Sequence, residues 1–149
     1  MAVVFLSFFC AAQDTMGLFS IEAYQILEKP DTYLIDVRTI AEYVYVGHLE
    51  TAFSVPIGFW DEKGITIIPN PGFEEDLKAL FKPQDTLIFI CRSGNRSGVA
   101  VERSIRVGFK DVFNIIDGFE GGKDRRGRRT VNGWKIEGLP YIPITSIPG

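Results

Sequence analysis

The sequence predicts an α/β fold with a central parallel sheet and helices on both faces. Three observations carry that expectation. Short apolar runs, Tyr33-Leu34-Ile35-Asp36-Val37 and Leu87-Ile88-Phe89-Ile90-Cys91 foremost, lack in-out alternation and suit strands covered on both sides. Segments at helical spacing alternate with them, the pattern that builds a parallel sheet through right-handed crossovers. The joints carry Gly, Pro, Asn and Ser, which end helices and open turns.

Taken in order, Met1 to Ala12 is an apolar run shorter than the ~20 residues a bilayer span needs. Small residues Cys10 and Ala12 precede Gln13 as in a cleavable signal. The first positive charge is Lys29, however, so the charged leader of such a signal is missing. Residues 1–17 are read as an extension or weak signal segment, 18–142 as the domain and 143–149 as a tail. The expected compartment is the cytoplasm, with export following if residues 1–12 act as a signal.

Ser20 is placed as the N-cap of a helix over Ile21 to Leu27, where Ile21, Tyr24 and Leu27 recur at helical spacing and Pro30 ends the segment. Tyr33 to Val37 reads as a buried strand. Thr39 to Val46 reads as a short helix stopped by Gly47, and Phe53 to Ile57 as a further strand broken by Pro56 and Gly58. After Asn70-Pro71-Gly72 comes an amphipathic helix with Phe73, Leu77, Leu80 and Phe81 on one face and Glu74, Glu75 and Lys78 on the other, closed by Pro83. Leu87 to Cys91 is the central strand, Asn95 to Val107 the next helix, and Val112 to Ile116 the last strand.

The chemistry concentrates at Cys91-Arg92-Ser93-Gly94-Asn95-Arg96-Ser97, where the central strand gives way to a helix. Ligands of open α/β sheets bind in the crevice at the carboxyl ends of strands. A helix N-terminus and two guanidiniums there favour a thiolate, the nucleophilic form of cysteine. A free cysteine is most often an inert packed residue. Arg92 and Arg96 around Ser93, Gly94 and Asn95 are surplus to that role, whereas such a turn lets backbone N–H groups converge on an anion.

This run resembles the active-site loop of rhodanese-like sulfurtransferases, and the resemblance, over roughly residues 18 to 142, implies the family's α/β fold with a central parallel sheet of about five strands. Asp36-Val37-Arg38, Glu42-Tyr43, Gly47-His48-Leu49 and Ala52 are similar to the family's first signature. Gly108-Phe109, Val112, Asn114, Gly118 and Gly121 resemble its last strand and following turn, with Asp117 to Gly121 departing mildly from the usual pattern. Thr130 to Trp134 and Gly138-Leu139-Pro140 resemble the ending of single-domain members.

The resemblance implies transfer of sulfane sulfur from a small anionic donor such as thiosulfate to cyanide or a thiol, through a persulfide on Cys91 and without cofactor or metal. It leaves room for a thioredoxin-like or other sulfur-accepting protein as acceptor. Arg92, Ser93, Gly94, Asn95, Arg96 and Ser97 then form the substrate-binding loop, with Arg96 its organiser and Arg92 the substrate contact. Asp36 and Arg38 either fix that loop from behind or form a structural ion pair, with Asp36 as a helix cap. Two rival readings stand beside this one. One is a persulfide carrier or interaction module serving a protein partner. The other is a cysteine-dependent phosphatase or arsenate reductase, disfavoured because four residues separate Cys91 from Arg96, one fewer than the phosphatase loop holds.

Composition narrows the field further. In 149 residues, 46% apolar and 23% charged positions are ordinary for one globular domain, and a formal charge of −3 draws neither nucleic acid nor a membrane surface. The basic run Lys123 to Arg129 reads as a solvated loop whose one expected action would be to attract anionic donors. Cys10 and Cys91 form no metal or disulfide spacing. His48, the sole histidine, is read as structural, and Glu42 as a helical residue pairing locally.

Overall fold

The computed structural model describes residues 16–144. The apolar run at 1–12 with Cys10, and residues 145–149 of the tail, lie outside the described residues. The described elements are β1 (Gly17–Leu18), α1 (Ser20–Ile26), β2 (Thr32–Asp36), α2 (Ile40–Val46), β3 (Phe53–Ser54), β4 (Gly58–Trp60), β5 (Ile67–Pro69), α3 (Phe73–Leu80), β6 (Thr86–Ile90), α4 (Asn95–Arg106), β7 (Asp111–Ile115), β8 (Gly122–Lys123) and β9 (Arg129–Val131). Five strands form one parallel sheet in the order β1-β7-β6-β2-β3. Strand β6 is central, and its register aligns Ile90 with Asp36 on β2 and Phe89 with Asn114 on β7.

Successive side chains of a strand face opposite sides, so the continuous apolar run of β6 serves two cores. Leu87, Phe89 and Cys91 join Ile35, Phe73, Leu77, Ala100 and Val101, the face covered by α3 and α4. Ile88 and Ile90 join Leu34, Ala23 and Trp134 on the other face, with Tyr43 and Val46 of α2 packed against them. The expected α/β architecture with helices on both faces is what forms. No helix among the described residues is long and apolar enough to cross a membrane.

Several local expectations change. The N-cap of α1 is Phe19, whose amide donates to Glu22 Oε2 at 2.7 Å. Ser20 is fully buried one residue further on, where its amide and hydroxyl both donate to Asp117 Oδ1 at 2.9 and 2.8 Å. A tertiary carboxylate thus claims the side chain that local propensity assigned to a cap. Leu80 is 52% exposed, because α3 ends there and only Phe73, Leu77 and the following Phe81 reach the core. The strand expected over Phe53 to Ile57 keeps just two ladder residues, although Val55 and Ile57 still donate to the carbonyls of Asp36 and Val37. Lys123 to Arg129 is largely solvent-exposed, as a solvated loop would be, but its ends pair as an antiparallel hairpin, β8 against β9, around the turn at 124–128. A second hairpin, β4 against β5, fills a stretch that carried no expected element.

Candidate active site

Strand β6 ends at Ile90, and α4 begins at Asn95. The four residues between them, Cys91 to Gly94, make the turn at the carboxyl end of the central strand. Gly94 takes φ +96°, and a Cβ on it would overlap the carbonyl oxygen of Ile116, so only glycine lets the chain pass this close. The same packing recurs behind the loop, where a Cβ on Gly118 (φ +67°) would overlap the carbonyl of Arg92. The amides of Phe119 and Glu120 donate to the carbonyls of Cys91 and Arg92 at 2.8 and 3.0 Å. Asn114 Nδ2 donates to the Gly94 carbonyl at 3.0 Å. The loop is therefore held by β7 and the segment that follows it.

At its centre, Cys91 Sγ accepts two hydrogen bonds, from the Gly94 amide at 3.1 Å and from the Ser97 hydroxyl at 3.1 Å. Cys91 is 1% exposed, whereas Arg92 and Asn95 of the same loop are exposed. By helix geometry the amides of Asn95, Arg96 and Ser97 have no carbonyl partner inside α4, and the dipole of this twelve-residue helix favours negative charge at the same end. Sγ sits where a developing or resident anion is stabilised.

Arg96 is held by Glu42 through two parallel bonds, Nη1 to Oε2 and Nη2 to Oε1, each 2.7 Å. Burial alone would raise the Glu42 carboxyl, but the bonds and charge of Arg96 and the amide and hydroxyl of Thr39 bring it from its ordinary 4.5 to about 2. Arg96 is shifted upward, by its Glu42 bonds first, against desolvation, with the charges of Glu42, Cys91 and Asp36 adding. Glu42 was expected to pair locally. It does bond Thr39, yet its main partner lies 54 residues away. The spacing Thr39-x-x-Glu42 signals a capping box and no more, which explains why the link to the loop is invisible in sequence.

Asp36 and Arg38 form a fully buried pair, with Arg38 Nε 2.9 Å and Nη2 2.6 Å from the carboxylate. Nη2 also donates to the Gly47 carbonyl at 2.7 Å. Thr39 caps α2, so the capping role offered to Asp36 is taken. Arg38 Nη1 finds no acceptor among the described residues, and its guanidinium carbon lies 4.3 Å from the centre of the Phe119 ring, a cation–π contact that offsets part of that loss. Phe119 is the residue whose amide holds the Cys91 carbonyl. The pair thus stands behind the loop and makes no described hydrogen bond to residues 91–97.

Arg92 differs from Arg96. Its side chain is exposed and has no ion-pair or hydrogen-bond partner among the described residues. His48 lies outside this cluster: Nδ1 donates to the Tyr43 carbonyl at 3.1 Å, the ring stacks on Tyr43, and its backbone pairs with Ile142. Asp117, which joins Ser20 to the amide of Gly133, was missed by sequence reasoning because its partners lie far along the chain.

A family model described as a rhodanese-like domain matches residues 21–125. The chain is 34% identical over 127 residues to the uncharacterized protein RC0915 of Rickettsia conorii, covering 82% of this chain and 93% of that protein. It is 31% identical over 108 residues to thiosulfate sulfurtransferase 18 of Arabidopsis thaliana, covering 72% of this chain and 78% of that one. Among solved structures, Rv0390 from M. tuberculosis matches with a TM-score of 0.73 at 32% identity, covering 84% of this chain and 95% of the other.

Proposed function

Because the chain belongs to the rhodanese-like domain family, we propose that it is a sulfurtransferase that carries sulfane sulfur as a persulfide on Cys91. The observation that carries this reading is the sulfur atom itself, aimed at by the Gly94 amide and the Ser97 hydroxyl at the end of the central strand. A thiolate there attacks the outer sulfur of thiosulfate. The new S–S bond forms as the old one breaks, and its electron pair leaves with sulfite. Cyanide or a thiolate then attacks the outer sulfur of the persulfide, and Cys91 departs as thiolate, ready for another cycle. The Gly94 and Ser97 donors and the helix dipole stabilise the negative charge at Cys91 throughout. Exposed Arg92 supplies charge-assisted bonds to the sulfonate oxygens, while Arg96, already engaged by Glu42, shapes the loop. Asp36 and Arg38 support it from behind through Phe119.

The test is the intact mass of the protein after thiosulfate treatment. Wild type and Cys10→Ser gain one sulfur, and Cys91→Ser gains none and loses cyanide-dependent thiocyanate formation by at least about a thousandfold, as expected when a nucleophile is removed. Sulfur uptake by Cys91→Ser refutes the assignment. Hydrolysis of p-nitrophenyl phosphate faster than thiosulfate turnover would move the protein to the phosphatases.

A further inference from the structure

The run Lys123 to Arg129 holds five cations and one carboxylate in a chain whose formal charge is −3, so the remainder of the chain is acidic. It forms the turn of the β8–β9 hairpin. That hairpin begins beside the Cys91 loop: Glu120, bonded through its amide to the Arg92 carbonyl, precedes Lys123 by three residues, at most about 11 Å of extended chain. Its base is fixed by Arg129 Nη1 donating to the Gly121 carbonyl at 2.8 Å, and its tip by Asp124 accepting from the amides of Arg126 and Arg128. Lys123, Arg125 and Arg126 are exposed and have no ion-pair partner among the described residues; Arg128 spends only its Nε on Asp124, at 3.2 Å, and is 64% exposed.

Two simpler ligands fit poorly. A small oxyanion needs convergent amides, and those of this turn already bind Asp124, whose carboxyl they hold below the usual range. Proteins that hold single-stranded nucleic acid pair a basic groove with aromatic side chains on which bases stack, and residues 122–131 contain no aromatic side chain. What remains is an exposed array of guanidiniums on a fixed turn, suited to a carboxylate-rich protein surface. Charge of this kind speeds encounter and orients the partner.

We infer that the hairpin docks a sulfur-accepting protein whose acidic face lies beside its reactive thiol, with Arg125, Arg126 and Arg128 holding it while Cys91 delivers sulfur. This rests on the sulfurtransferase reading and names its acceptor class. The partner's thiolate attacks the outer sulfur of the Cys91 persulfide; an S–S bond forms on the partner as the Cys91 bond breaks, and the electron pair returns to Cys91 as thiolate.

The probes are two short peptides, each with one cysteine, flanked by Glu in one and by Gln in the other. Binding to Cys91→Ser, read by fluorescence anisotropy, measures docking without chemistry, and discharge of thiosulfate-loaded protein measures transfer. At low salt the Glu peptide is preferred by about tenfold or more in both assays, the scale of electrostatic steering. The triple variant Arg125→Gln, Arg126→Gln, Arg128→Gln loses that preference, as does wild type at high salt, while cyanide discharge stays unchanged. Equal use of the two peptides by wild type, a preference that survives the triple variant, or displacement of the Glu peptide by an equimolar oligoribonucleotide overturns the docking surface. A protein that takes up no sulfur yet binds the Glu peptide refutes the sulfurtransferase reading and leaves the surface supported.

Discussion

Two turns of this molecule have nearly the same ingredients and opposite chemistry. Cys91 to Ser97 and Lys123 to Thr130 are both short, arginine-rich and interrupted by a left-handed glycine. Each brings one hydroxyl and at least one backbone amide to a side-chain acceptor. In the first the acceptor is Cys91 Sγ, reached by the Gly94 amide and the Ser97 hydroxyl; in the second it is Asp124, reached by the amides of Arg126 and Arg128 and the Thr130 hydroxyl. The difference lies in burial and in what the arginines do. The first turn is clamped between β6, α4 and the segment after β7, and one of its arginines is locked to Glu42. The second stands in water, where Arg128 pairs with Asp124, Arg129 donates to the Gly121 carbonyl, and Arg125 and Arg126 have no ion-pair partner among the described residues. Arginine content alone therefore says little about catalysis, and the enclosure of the central atom says more.

The same substitution made in both turns sharpens that contrast and gives the largest expected effect. Gly94→Ala adds a Cβ that overlaps the Ile116 carbonyl in a backbone at φ +96°, so strain and collision combine to a loss of about 3 kcal/mol or more. Gly127→Ala is strained too, at φ +77°, but its Cβ meets nothing within 4 Å and the cost is about 1 kcal/mol. Urea denaturation of the two variants compares them directly. Equal losses would mean that the Cys91 turn is no more tightly enclosed than the hairpin.

The second effect belongs to the arginine that is locked. Glu42→Gln removes the charge opposite Arg96 and should cost about 1.5–3 kcal/mol at neutral pH, the range for hydrogen bonds to charged groups. Because the Glu42 carboxyl sits at about 2 in the folded protein against an ordinary 4.5, its contribution is fully present above about pH 4.5. It is lost as pH falls from there towards 2. The stability gap between wild type and Glu42→Gln should accordingly be constant near neutrality and narrow across that acid window. A gap that stays flat through it would show that the carboxylate is not the stabilising form.

The sheet was legible because β2 and β6 are near-continuous apolar runs, a signal that needs no partner to be read. The loop was legible for a similar reason, since Cys91 to Ser97 is contiguous and its donors lie within six residues of the sulfur. What could not be read was every contact decided by distant chain. Ser20 looks like a cap until Asp117, 97 residues on, takes its hydroxyl. Glu42 looks locally satisfied until Arg96 arrives. The short hairpins escaped because two- and three-residue strands leave too few positions for alternation to show.

Arg92 tests the distinction between the two arginines of the Cys91 turn. Arg96 spends both of its terminal nitrogens on Glu42, whereas Arg92 spends none among the described residues. Arg92→Ala should therefore raise the thiosulfate KM by about tenfold, the loss of one charge-assisted contact, with kcat changed far less. Stability should stay within about 0.5 kcal/mol of wild type, as for most surface substitutions. Equal losses in kcat and kcat/KM would make Arg92 part of the transition state and dissolve the division of labour with Arg96.

The smallest effect probes the other acceptor. Asp124 gathers the Arg126 and Arg128 amides at 2.8 and 2.9 Å and the Thr130 hydroxyl at 3.0 Å, yet all of these bonds lie at the exposed tip of a two-stranded hairpin. Water can replace them, and β8 and β9 pair with each other and not with the main sheet. Asp124→Asn should consequently leave Tm within experimental error while accelerating hydrogen exchange at Arg126 and Arg128, the signature of local opening without global loss. A measurable fall in Tm would mean that the hairpin's order is coupled to the Gly118 to Gly121 segment that holds the Cys91 loop, and the two turns would then be one cooperative unit.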